Sequence, residues 1–297
     1  MTNSGMCKFA DDGLPPVGEV IRRHELRAKK SLGQNFLLDL NLTRKIARLC
    51  GDLNGETVVE IGPGPGGLTR SLLHEGAAHV VVVERDERCL PALQLVADNW
   101  EDQLHVISGD ALAIELSELK RFVQGEDNQR FLIISNLPYG IATRLLVSWL
   151  EQSAWPPPFS SMALMFQREV AERIVAKPGT KAYGRLAVLS QWSCKVEIGM
   201  RLPASAFTPP PKVDSAVVTF KPYEMREPLA SAHILGRVTA AVFGQRRKML
   251  RSSLRQVTDQ PEKLIEAAGL SPELRGEHVS VADLARMARL LETETEG

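Results

Sequence analysis

The chain has 297 residues, 44% apolar and 24% charged, with 36 Lys and Arg balancing 36 Asp and Glu. That is apolar material for one large core or two smaller ones, while no run approaches the ~20 apolar residues of a membrane-crossing helix. Cys7, Cys50, Cys89 and Cys194 lie scattered, with no CxxC pair and no histidine at ligand spacing, so neither a disulfide framework nor a zinc or other metal site is indicated.

Along the chain, the start (MTNSGMCKFADDGLPP) has no apolar stretch of signal-peptide length, which makes the cytoplasm the expected compartment. Residues 1–20 are expected to be a disordered extension, and Val17 to Lys30 is polar and basic. Asn41 to Cys50 has helical apolar spacing in Leu42, Ile46 and Leu49, closed by Gly51. A strand and helix rhythm follows: TVVEI (57–61), HVVVVE (79–84), LHVI (104–107), FLII (131–134) and SMALMF (161–166) start 22 to 30 residues apart. Continuous apolar runs, unlike alternating ones, mark strands covered on both faces, so an α/β domain with a parallel sheet is expected. VDSAVVTF (213–220) reads as a further strand behind the rigid TPPPK (208–212), and KPYEMREP (221–228) as a linker. Helices are expected from Ser231 to Val257, from Pro261 to Ala268 with Gly269 as stop, and from Val281 to Leu291 behind a Ser280 cap. The expected domains are thus 21–222 and 223–297.

The balanced total hides a segregation of charge. Between Gly18 and Arg48 there are eight Lys/Arg against three Asp/Glu, and between Arg201 and Gln260 ten against four, whereas Leu49 to Asp110 has three against eleven. Basic segments flanking an acidic one suit a polyanion on two faces and a cationic or hydroxyl-rich ligand between them, although solvated helix faces would also carry such charge.

The strand TVVEI runs into EIGPGPGGLT, where Gly62, Gly64 and Gly67 satisfy G-x-G-x-x-G and Glu84 follows about 20 residues on. The glycines let a ligand approach the backbone at a helix N-terminus without naming the ligand. Glu60 before the turn and Asp110 after the third strand disfavour a pyrophosphate and favour a phosphate-free cation. S-adenosylmethionine, with a sulfonium and an amine, has that character. Glu84 can take both ribose hydroxyls, and Asp110 can accept from the adenine amino group. Glycine-rich turns also occur for packing alone, and either acid could be a solvated strand end.

The fourth strand ends in Asn136, Leu137, Pro138 and Tyr139, where a methyl acceptor would lie. An adenine amino group is a poor nucleophile because its lone pair is delocalised into the ring. A pair of neutral acceptors, expected to be the Asn136 side-chain oxygen and the Pro138 carbonyl, would hold the two amino hydrogens and aim the lone pair. Tyr139 offers a stacking face worth about 1–3 kcal/mol per base. The alternative is an ordinary strand-end turn.

These residues resemble the KsgA-type ribosomal RNA adenine dimethyltransferases over almost the whole chain. KKSLGQNFLLD (29–39), VVEIGPGPGGLT (58–69), GDAL (109–112), NLPYGIAT (136–143), FQREVAERIVAKPGTKAYGRLAVLSQ (166–191), PASAFTPPPKVDSAVV (203–218) and FGQRRKMLRSSL (243–254) follow that family's blocks in order. The resemblance implies a Rossmann-like class I S-adenosylmethionine-dependent methyltransferase sheet with a small C-terminal helical domain. It also implies transfer of methyl groups to N6 of two adjacent adenosines near the 3′ end of small-subunit ribosomal RNA during ribosome biogenesis, by a protein expected to act as a monomer. Carried over by position, the cofactor residues are Asn35, Leu37, Gly62, Gly64, Glu84, Asp110, Ala111 and Asn136. Those for the target adenine are Asn136, Leu137, Pro138, Tyr139 and Phe207, the last stacking opposite Tyr139, although beside Pro209 to Pro211 it could equally plug the core. Gly140 and Met249 depart from the family's usual polar residues.

In the expected long helix, Phe243, Leu250, Leu254 and Val257 share one stripe, and Arg247, Arg251 and Arg255 a second beside it. With Lys248, and with Arg22, Arg23, Arg27, Lys29 and Lys30 on the other side of the pocket, that stripe suits RNA phosphates, or else is a solvated face. A nicotinamide-dependent dehydrogenase fits the glycines but leaves NLPY unexplained. A non-catalytic RNA-binding assembly factor and a methyltransferase of large-subunit ribosomal RNA are the other readings.

Overall fold

The structure, a computed structural model, describes residues 12–26, 28, 33–123 and 129–296, so Cys7, Arg27, Lys29 and Lys30 lie outside the described residues. Its strands are β1 (Phe36–Leu37), β2 (Thr57–Ile61), β3 (His79–Glu84), β4 (Leu104–Ser108), β5 (Phe131–Ser135), β6 (Phe159–Gln167), β7 (Cys194–Leu202), β8 (Phe207–Thr208) and β9 (Ser215–Pro222). The helices are α1 (Val17–Arg23), α2 (Leu40–Ala47), α3 (Gly67–His74), α4 (Leu90–Ala97), α5 (Leu116–Leu119) and α6 (Tyr139–Leu150). There follow α7 (Arg168–Ile174), α8 (Arg185–Ser193), α9 (Ala232–Gly244), α10 (Leu250–Ser253), α11 (Pro261–Ala267) and α12 (Val281–Glu296).

Seven strands form one sheet in the order β4-β3-β2-β5-β6-β9-β7. The pairs from β4 to β6 are parallel, as the continuous apolar runs imply, while β9 is antiparallel to both neighbours. Alternate residues feed opposite faces: Val59, Ile61, Val81 and Ile133 pack with α5, α6 and α7, while Val58, Val80, Val82 and Leu132 pack with α2, α3 and α4. β7 was not expected; its apolar residues alternate with polar ones, and as an edge strand it is buried at its two ends and half-buried at every second position between them. The order reverses between β2 and β5, whose chain neighbours leave in opposite directions, and that border is where an open α/β sheet has its ligand crevice.

The expected helix from Ser231 to Val257 is broken. Ser231 caps α9 through its side-chain oxygen, but the helix ends at Gly244, and Met249 instead bridges to Arg275 before α10 begins. Hydrophobic periodicity continues across the break because Leu250 and Leu254 rejoin the same core. That core also takes Tyr183, Ala187, Val188 and Trp192 from α8 and the loop before it, on the near side of the linker. The linker itself is held by Arg226, 6% exposed, which stacks over Trp155 at 3.6 Å and lies 4.7 Å from Trp192. Its guanidinium donates to the Leu150 and Gln152 carbonyls at the C-terminal end of α6, offsetting the negative end of the helix dipole.

The described part of the N-terminal extension is docked: the Asp12 carboxylate takes two hydrogen bonds from Arg70 of α3, at 2.9 and 2.8 Å, and both side chains are buried. Val17, next to it, lies behind Gly67 at the start of α3. Among the described residues, no helix is long and apolar enough to cross a membrane.

Candidate active site

At the carboxyl ends of β2, β3, β4 and β5 lies a cavity of about 410 Å³, within the range of roughly 300–1,000 Å³ usual for small-molecule sites. Its wall includes Asn35, Leu37, Gly62, Gly64, Glu84, Asp110, Ala111 and Asn136, the residues expected to hold a cofactor. Leu137, Pro138 and Tyr139 line it as well, so residues from four strand ends and the segment before α2 meet in one place.

Local hydrogen bonds shape the glycine turn. Gly62 donates to the Val83 carbonyl at 2.8 Å, and Gly64 to Glu84 Oε2 at 2.9 Å. Gly62 has φ +67°, and a Cβ there would lie 3.1 Å from Pro138, so only a residue without a side chain lets this turn meet the NLPY segment. Where the ladder between β2 and β5 runs out, the Ser135 hydroxyl bonds to the Ile61 carbonyl at 2.6 Å and accepts from the Ile61 amide at 3.3 Å. The end of one strand is thereby fixed against the end of the other. Gly33 to Leu37 closes the opposite side. Gln34 donates to Asp86 at 2.9 Å, and Phe36 and the Leu37 carbonyl pack on Gly64 and Gly67.

The acids are arranged for a cation. Glu60 is 1% exposed and accepts from the Thr69 hydroxyl at 2.6 Å; burial, reinforced by nearby Glu84, pushes its carboxyl up to about 8. Burial also raises Glu84, against the backbone amides of Asp86 and Gly64 that favour its charge. Asp86, gripped by Arg88 and by Gln34, is held down to about 2. Asp110 accepts from the Leu112 amide at 3.0 Å and pairs with Arg85 at 3.2 Å, near the surface. Glu84, buried, without a cationic partner of its own and with two backbone amides favouring its charge, fits a sulfonium or ammonium and disfavours a pyrophosphate, while Glu60 beside it holds its proton into the neutral range. These residues therefore fit S-adenosylmethionine: Glu84 would be free to take ribose hydroxyls, and Asp110 and Ala111 to meet the adenine end.

On the other wall, Asn136 donates through Nδ2 to the Asn35 carbonyl at 3.1 Å, which fixes the amide and turns Oδ1 the other way; among the described residues no donor reaches that oxygen. The expected role of the Pro138 carbonyl is corrected. Pro138 is the N-cap of α6, and its carbonyl accepts from the Ile141 and Ala142 amides at 3.0 and 3.1 Å. The carbonyl one residue earlier, that of Leu137, has no donor among the described residues, while the Leu137 side chain is 1% exposed in the core. Tyr139, the first residue of α6, has its hydroxyl 2.5 Å from that of Ser215, a residue that no sequence signal singled out.

Phe207 is the second correction. It is 3% exposed, packs in the core cluster with Leu37 and Leu202, and pairs with Leu37 between β8 and β1. It does not line the cavity and is a core residue, because the two short strands turn its ring inward. The arginine stripe is the third. Arg247 and Lys248 lie in the exposed turn after α9, Arg251 in α10, and Arg255 in the short 3-10 turn after it, so they form no continuous helical row.

The sequence model of the family described as "Ribosomal RNA adenine dimethylase" matches residues 25–293. The protein named Ribosomal RNA small subunit methyltransferase A of Ruegeria sp. (strain TM1040) is 57% identical over 286 residues, 95% of this chain and 99% of that protein. The protein of the same name from Mesorhizobium japonicum is 55% identical over 276 residues, 93% of this chain and 98% of that one. Among solved structures, a dimethyladenosine transferase from Plasmodium falciparum aligns with a TM-score of 0.69 and 25% identity, covering 87% of this chain and 97% of the other. The 23S rRNA methyltransferase ErmE shares the fold, with a TM-score of 0.63 at 24% identity, over 87% of this chain and 100% of the other. With a pocket for a nucleoside-linked cation beside two unpartnered acceptors, and with this match over nearly its full length, the chain belongs to the ribosomal RNA adenine dimethylase family.

Proposed function

We propose that this chain transfers methyl groups from S-adenosylmethionine to N6 of two adjacent adenosines near the 3′ end of small-subunit ribosomal RNA during ribosome assembly, acting as a monomer in the cytoplasm. The observation that carries the reading is the junction of the two walls: the acidic, glycine-lined pocket is also lined by Asn136 and Leu137, whose Oδ1 and carbonyl have no donor among the described residues.

Bound in the pocket, S-adenosylmethionine supplies an electrophilic methyl group on its sulfonium. The chain's own part is orientation. Asn136 Oδ1 and the Leu137 carbonyl accept the two amino hydrogens of the adenine, which tilts the nitrogen lone pair out of conjugation and toward the cofactor. Both acceptors are neutral, so neither lowers the electrophilicity of the neighbouring cation as a carboxylate would. Tyr139 gives the base a face to stack on, and the rigid start of α6 holds all of them in register.

The helical unit, residues 223–297, serves in this reading to hold RNA, with exposed Arg247, Lys248 and Arg255 and half-buried Arg251 meeting phosphates. Arg22 and Arg23 of α1 add charge on the other side of the pocket. Replacing Arg247, Arg251 and Arg255 by Gln should lower RNA affinity and flatten its salt dependence by about three charges' worth, leaving cofactor affinity intact.

Incubating the protein with S-adenosylmethionine and undermodified small-subunit particles, then mapping methylated adenines, tests the function. Dimethyladenosine at two adjacent positions is expected. Methylation confined to large-subunit RNA, or none on either, would overturn the proposal.

A further inference from the structure

The structure assigns Ser215 as a positioning residue that fixes the place and the axis of the Tyr139 ring for the target adenine. This rests on the proposed adenine site and adds a residue to it.

Tyr139 is at the first position of α6, its ring on the cavity, and its hydroxyl reaches past the pocket to Ser215 at 2.5 Å. Ser215 is 1% exposed and is held from both sides, opposite Gln167 of β6 and opposite Leu202 of β7. The turn before it is pinned too: the Asp214 carbonyl accepts from the Arg168 amide at 2.9 Å, and the Asp214 side chain from the Ala204 amide at 3.1 Å. The ring is thus tied at its Cα by the helix and at its tip by the sheet, so rotation about Cα–Cβ would carry the hydroxyl off Ser215 and break the bond, while rotation about Cβ–Cγ, on whose axis the hydroxyl oxygen lies, leaves it intact. A ring held in place before the base arrives adds less ordering cost when the base stacks. Burial pushes the Tyr139 phenol above its ordinary range, so the group stays a neutral hydroxyl engaged with serine, with its face and not its oxygen turned to the substrate.

Within the block PASAFTPPPKVDSAVV, Ser215, and not Phe207, is the residue that meets Tyr139. No motif points to a serine in this position. Only the antiparallel pairing of β9 with β6 carries it to the NLPY segment, 76 residues away in the chain.

The test is a double-mutant cycle on the full chain with saturating RNA and saturating S-adenosylmethionine, read as single-turnover methyl transfer. Tyr139→Phe keeps the ring and removes the anchor from one side; Ser215→Ala removes it from the other. Each should slow transfer by about five- to tenfold, the size of one orienting hydrogen bond. The double variant should be no slower than the worse single one, and cofactor affinity should be unchanged throughout. Additive losses, or Ser215→Ala at the wild-type rate while Tyr139→Phe is slow, would overturn the anchor and give the phenol a job of its own. Tyr139→Ala should lose far more than either. Were Tyr139→Ala to run at the wild-type rate, the stacking face itself would be wrong, which separates failure of the adenine-site reading from failure of the anchor. Where Ser215→Ala folds poorly, Ser215→Cys, which fills the same space with a weaker hydrogen-bonding group, takes its place in the cycle and should show the same non-additivity.

Discussion

On the wall of the cavity built by β2, β3 and β4, the strand-end carboxylates are already engaged: both oxygens of Glu84 take backbone amides, and those of Asp110 take Leu112 and Arg85. On the wall built by β5 and α6, Asn136 Oδ1 and the Leu137 carbonyl have no donor among the described residues. The first wall keeps its shape without a ligand, so binding there loses little to ordering. The second presents its hydrogen-bonding capacity unfilled, and only a donor with two hydrogens in the right plane completes it. On the proposed function, one wall serves affinity and the other geometry, and substitutions should separate the two quantities.

The largest effect should come from Asn136→Ala, which removes one acceptor from the unfilled wall. Single-turnover methyl transfer at saturating RNA and cofactor should fall on the order of 100- to 1,000-fold, with cofactor affinity reduced only modestly. A wild-type rate would return the segment to an ordinary turn. Glu84→Ala should show the opposite signature. Loss of a charge-assisted pair should weaken S-adenosylmethionine by about 2–3 kcal/mol, roughly 30- to 150-fold in Kd by calorimetry. Unchanged affinity would take Glu84 out of the site.

Gly62→Ala should blur the distinction, because the added methyl would press on Pro138 while the backbone stays in the left-handed region. A cost of about 1–2 kcal/mol is expected, showing as a several-fold loss in both cofactor affinity and transfer rate. A loss confined to one of the two would mean that the walls do not bear on each other there.

The last effect leaves methyl transfer aside and concerns pH. The Glu60 carboxyl is pushed up to about 8 in the folded protein from an ordinary value of 4.5. The native state therefore holds its proton more tightly than the unfolded chain. The stability this gives is fully present below 4.5 and is lost as pH rises through about 8. Scanning calorimetry without cofactor should show the wild-type melting temperature declining across that window relative to Glu60→Gln, which keeps an acceptor for Thr69 and cannot ionise. Parallel curves would show that Glu60 titrates normally.

The difference between the walls also explains what could be read from sequence. The parallel strands and the glycine turn are local: an apolar run or a glycine pattern states its own structure, and Glu84 and Asp110 follow at strand ends. The Asn136 to Tyr139 segment was legible as chemistry, but the carbonyl left without a donor lies one residue before the expected one, because a helix starting at Tyr139 claims the Pro138 carbonyl and helix starts are uncertain by about that much. Phe207 and Ser215 were not legible. Their surroundings depend on β8 meeting β1 and β9 meeting β6, pairings between distant parts of the chain that no window of residues displays. The break after Gly244 was hidden for a different reason, since the apolar spacing that defines a helix continues on both sides of the turn.

The bond between Tyr139 and Ser215 also bears on the order in which the site is made. A chain synthesised from its N-terminus has every residue of the cavity lining once Ile141 has emerged, including both ends of the bond from Asn136 to Asn35, 101 residues apart. The anchor of the aromatic face comes another 76 residues after Tyr139, on a strand that must insert between β6 and β7. During biosynthesis, the parts that recognise the methyl donor are therefore present well before the last part that orients its acceptor. An incomplete chain has the means to capture cofactor before it has the means to use it.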